Sequence, residues 1–83
     1  MGEYQGKCMN ALGEEPTGRR LVFEEGPMMK CQSACLRATD AKGCQYEIKT
    51  NGLELGPCYM FTGSTVKGSA DIGFTCWKMG QKI

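Results

Sequence analysis

The 83-residue chain predicts a small disulfide-rich α+β domain, with one helix packed on four or five short antiparallel strands. Three observations carry that expectation. The chain holds six widely spaced cysteines, an even number of the kind that forms a disulfide framework in secreted domains. Two of them, Cys31 and Cys35, sit one helical turn apart and so stack on one face. Around them, short segments of period-two alternation are punctuated by Gly and Pro. A single domain of this length draws only marginal stability from its core, so covalent staples are expected.

In order along the chain, residues 1–8 read as an opening strand ending at Cys8. Residues 9–19, rich in Gly, Glu, Pro and Thr, read as a loop. Arg20 to Glu24 is a strand with Leu21 and Phe23 on one face. Pro27 suits the first turn of a helix over 27–38, whose Met28, Cys31, Cys35 and Ala38 form one stripe. Thr39, Asp40 and Gly43 end it. Cys44, Tyr46 and Ile48 then alternate toward one side of a strand. Asn51-Gly52 marks a turn. Gly56-Pro57 introduces the strand Cys58-Tyr59-Met60-Phe61. Thr62 to Asp71 is small and polar and reads as an exposed, mobile loop. The last strand covers Ile72 to Met79, with Phe74, Cys76 and Lys78 on one face and Thr75, Trp77 and Met79 on the other. Met28, Met29 and Met60 are expected to fill the core.

Six cysteines allow many pairings, and spacing alone does not choose among them. Topology narrows the choice. Cys31 and Cys35 face the sheet at different heights, so each most naturally meets a strand cysteine. The short connection from Cys35 folds Cys44 back under the helix, Cys31 reaches Cys58 on the next strand, and Cys8 and Cys76 tie the ends. In the chain-entropy model the 35–44, 31–58 and 8–76 links contribute about 3, 3.5 and 4.5 kcal/mol. The reduced chain is therefore expected to be largely unfolded. Zinc is disfavoured because only Cys31 and Cys35 form a close ligand pair. A catalytic cysteine would lack its usual base, since the chain has no histidine and no C-x-x-C motif. No cofactor and no enzymatic activity are expected.

The net charge is +1 with acids and bases mixed, so there is no basic stripe for nucleic acid. No segment is long and apolar enough to insert in a membrane. No export signal is visible at Met1-Gly2-Glu3-Tyr4, so an excised module of a larger multidomain protein is expected, a cytosolic protein with reduced cysteines being the alternative.

Cys8, the pair Cys31-x-x-x-Cys35 within "KCQSACLRA", Cys44-x-Tyr46-x-Ile48 within "GCQYEI", Cys58-Tyr59-Met60-Phe61 ("CYMF") and the closing Cys76 together resemble a PAN/apple domain. The likeness spans Cys8 to Cys76, giving one domain over 1–83 with its core at 8–78. It departs from the family in the long insert "KTNGLELG" and in the tail "WKMGQKI". The resemblance implies a curved antiparallel sheet of about five strands cradling one helix, with the links 8–76, 31–58 and 35–44. It also implies a non-catalytic secreted or cell-surface module that binds carbohydrate or protein.

Trp77, the single tryptophan, is in phase opposite Cys76, which suggests exposure on the sheet face away from the helix; packing on the sheet is the alternative. Tyr46 shares phase with Cys44 and is expected inward. Tyr59 is expected near Trp77 on the open face as a shallow binding platform, with cross-strand packing as the plainer account. The loop side chains Lys67, Ser69 and Asp71 are candidates for hydrogen bonds to sugar hydroxyls, next to glycines that permit close approach. Arg19, Arg20, Lys30 and Arg37 read as solvated charge rather than an anion site. The leading expectation is lectin-like carbohydrate adhesion. The alternative is a protein–protein interaction module that assembles a secreted complex or acts as a small inhibitor or toxin.

Overall fold

A computed structural model describes residues 2–48 and 55–79. Its elements are β1 (Gly2–Gln5), β2 (Cys8–Met9), β3 (Arg19–Pro27), α1 (Met28–Arg37), β4 (Gly43–Glu47), β5 (Leu55–Phe61), β6 (Lys67–Gly68) and β7 (Phe74–Lys78). Five strands form an antiparallel sheet in the order β1-β7-β4-β5-β3, and β2 pairs with β6 in a separate ribbon. The domain is a small disulfide-rich α+β fold. The turn expected at Asn51-Gly52 lies outside the described residues.

The helix begins where Pro27, extended at φ −76° and ψ 153°, releases the chain into Met28. It ends where the Ala38 N–H donates to the carbonyls of Ala34 and Cys35 and the backbone turns extended. Its buried side chains are Cys31 and Cys35, which bond to Cys58 on β5 and Cys44 on β4. Cys8 bonds to Cys76. These are the three pairs that the topological argument names.

Cross-strand partners lie on the same side of a sheet, so register assigns every side chain to a face. Cys44 pairs with both Met60 and Trp77, which places Trp77 on the helix side with Cys44. The core there joins Cys31, Cys35, Ala41, Cys44, Tyr46, Cys58, Met60, Trp77 and Met79. The opposite row runs Tyr4, Cys76, Gln45, Tyr59, Leu21 across all five strands. A second, smaller core of Cys8, Phe61 and Cys76 lies on that side, with Tyr59 against it.

Three expectations change for stated reasons. The opening strand is two strands. Gly6, at φ +107°, breaks it, and the chain leaves β1 to form β2 over the sheet. Leu21 and Phe23 do not share a face. A bulge between them pairs Leu21 with Tyr59 and Phe23 with Cys58, so Leu21 is half exposed and Phe23 packs toward the helix. A second irregularity falls between Phe23 and Gly26, opposite Pro57, which has no N–H to give to a ladder. Finally, Met60 is buried as expected, but Met28 and Met29 are exposed, Met29 at 78%. On a ten-residue helix only the Cys31–Cys35 stripe meets the sheet, and Met29 lies about a third of a turn from Met28.

Candidate functional site

The expected open face is covered at its centre, where Cys76 and Gln45 are buried, and exposed toward its edges at Tyr4 and Leu21. The β2–β6 ribbon lies across it, held by Cys8–Cys76 and by a dense set of hydrogen bonds. The Cys8 N–H donates to the Oε1 of buried Gln45 at 2.9 Å. The N–H groups of Val66, Ser69 and Ala70 donate to the carbonyls of Met9, Lys7 and Gln5, each at 2.9 Å. Gly68 is required here, since a Cβ on it would stand 2.3 Å from the Gln5 carbonyl oxygen. Thr65 is buried beside Gly43, whose missing side chain leaves it room. The segment 62–71 therefore keeps the exposure expected of it at Ser64, Val66, Lys67, Ala70 and Asp71, but its backbone is tied to the opening strands and Thr65 is buried.

This arrangement disperses the side chains expected to form a ligand platform. Trp77 is 1% exposed, and its Nε1 donates to Glu3 Oε1 at 3.0 Å, so it is a core residue and not a contact surface. Trp77 does oppose Cys76 in phase, but Cys76 meets the ribbon, which turns Trp77 toward the helix instead of solvent. Tyr59 lies on the ribbon side, so it is not near Trp77 as expected. It is half-buried, with the Arg19 guanidinium 5.2 Å from its ring centre. Tyr46 is fully buried. Its hydroxyl donates to the Gly26 carbonyl and accepts from the Gly56 N–H, tying β3, β4 and β5 together.

Of the segment side chains, Lys67 lies on β6 and is exposed. Ser69 and Asp71 serve each other: Ser69 Oγ accepts from the Lys7 N–H at 2.9 Å and donates to Asp71 Oδ2 at 2.7 Å. Both side chains shape the turn that leaves the ribbon. Arg19 pairs with Glu15, and Arg20 with Asp40, at the surface. Among the described residues there is no His, Cys, Asp and Glu group suited to a metal ion. No described helix is long and apolar enough to cross a membrane.

An apolar opening lies elsewhere. A groove of about 810 Å³ runs along the outer side of α1, lined by Phe23, Met29, Lys30, Ser33, Ala34, Leu36 and Arg37. Its apolar members include exposed Met29 and Leu36, the latter at 51%. The cysteine stripe dominates the helix pattern in the sequence and leaves this face without a comparable signal. The available signal was Met29 and Leu36, two apolar residues two turns apart and off that stripe. No family model, curated protein or solved structure matches the chain.

Proposed function

We propose that the chain is a non-catalytic, extracellular recognition module of the PAN/apple kind whose ligand is a protein. The observation that carries this reading is the contrast between a triply stapled scaffold and an apolar groove left on its surface. The pairs 8–76, 31–58 and 35–44 are those that the resemblance implies, and three disulfides suit an oxidising compartment. The only tryptophan is spent on the core, while Phe23, Met29 and Leu36 line the groove. Apolar side chains in a concave surface suit a protein partner better than a sugar. Carbohydrate adhesion is the second reading, favoured by exposed Lys67 and Asp71 at the edge of the ribbon and by the Tyr59 ring on the same side.

The test has two stages. Alkylation of the native protein should modify no cysteine; six reactive thiols would sink the extracellular reading. The oxidised domain is then offered to an array of receptor ectodomains and to a glycan array. Saturable binding to an ectodomain, abolished by reduction, supports the protein reading. Sugar binding lost on Tyr59→Ala supports the second. Silence on both arrays overturns the recognition role.

A further inference from the structure

The groove beside α1 has a chemistry that narrows its partner. Met29, Ser33 and Leu36 follow one another along the outer helix at offsets of four and three, so the two apolar side chains form a ridge interrupted by a small polar residue. Lys30 and Arg37 sit seven residues apart, about 10 Å or two turns, on the adjacent row. Both line the groove, and its described lining contains no acid. The ion pairs among the described residues are Arg19–Glu15 and Arg20–Asp40, and neither includes Lys30 or Arg37. One side of the helix therefore offers an apolar ridge beside two available cations.

We propose that this face docks an acidic amphipathic helix of a partner protein. The partner's apolar stripe lies on Met29 and Leu36, and two of its carboxylates, about two turns apart, meet Lys30 and Arg37. The spacing of the cations matches the repeat of a helix packed alongside α1. A sulfated glycan would use the same cations but has no use for the apolar ridge, and a second copy of this face would oppose cation to cation. The inference rests on the reading of the chain as a protein-binding module.

The experiment uses the oxidised protein and a fluorescent synthetic amphipathic helix of about five turns, with Leu along one stripe and Glu flanking it. A matched peptide carries Lys for Glu. Saturable binding of the Glu peptide is expected, weakened about tenfold or more by Leu36→Glu. The double variant Lys30→Glu with Arg37→Glu should reverse the preference in favour of the Lys peptide. All substituted residues are on the surface, and near-UV circular dichroism checks that the fold persists.

Equal or absent binding of the two peptides overturns the proposal. So does binding of a heparin fragment that Leu36→Glu leaves unchanged, or a dimer in sedimentation that Leu36→Glu dissolves. If the wild type and Leu36→Glu bind the same ectodomain equally, the groove is not the site, yet the recognition role stands. If neither binds any ectodomain or glycan, the recognition role falls as well.

Discussion

The two sides of the sheet solve the same problem with unequal means. On one side a helix, two disulfides and the large side chains Tyr46, Met60 and Trp77 make a continuous core. On the other, two strands of two residues cover a core whose buried members are Cys8, Phe61 and Cys76. The helix side adds extensive apolar burial to its two disulfides. The ribbon side is held by one long-range disulfide and by close backbone hydrogen bonds, which need small residues such as Gly68 where chains touch. A thin cover can close a sheet face when covalent and polar ties replace the area it cannot bury.

The sharpest way to break this contrast is to remove the ribbon's tie. Replacing both Cys8 and Cys76 by Ala is expected to cost about 4–5 kcal/mol, against about 3 kcal/mol for the shorter Cys35–Cys44 loop. Denaturant midpoints measure both. A larger loss from the 35–44 pair would show that the ribbon does not depend on its disulfide as argued. Hydrogen exchange at Val66 and Ser69 should also speed up selectively in the first variant.

Trp77→Ala probes the helix side. Deleting this buried ring should cost about 3–5 kcal/mol. A loss below about 1 kcal/mol, as surface positions show, would mean that Trp77 is not part of the core.

Tyr46→Phe keeps the ring and removes the hydroxyl that serves Gly26 and Gly56. The buried carbonyl and N–H left behind make the expected loss about 1–3 kcal/mol. A thermal melt equal to wild type would show that water or a shifted backbone replaces those bonds.

Arg20→Ala is the small-effect control. Its pair with Asp40 is exposed at 3.1 Å, so the expected change is below about 1 kcal/mol and shrinks with added salt. A salt-independent loss would point instead to the packing of Arg20 on the Met60 sulfur at 3.2 Å.

Much of the local structure was legible without coordinates. The spacing of Cys31 and Cys35 announced a helix with two sulfurs on one face, and alternation placed Cys44 with Tyr46 and Cys76 opposite Trp77. These features arise from backbone geometry that repeats every 3.6 or 2 residues, so they can be read within a short window. The candidate ligand residues were less legible. Trp77 could be phased against Cys76, but phase is relative: it says that two side chains oppose, not which of them meets the helix. That choice waited on β4, where the register of Cys44 with Trp77 turned the indole inward and Cys76 toward the ribbon. Likewise Leu21 and Phe23 alternate in sequence, and only the bulge against β5 separates their faces. The ribbon itself rests on two residues paired with two others far along the chain, too short to leave a periodic signal. Local residue spacing sets the helix, the alternating phase of the strands and the cysteines available to join them. The tertiary structure alone decided which phase is inside, because burial is a property of the partner strand and of the cover above it, and neither lies near the residue in the chain.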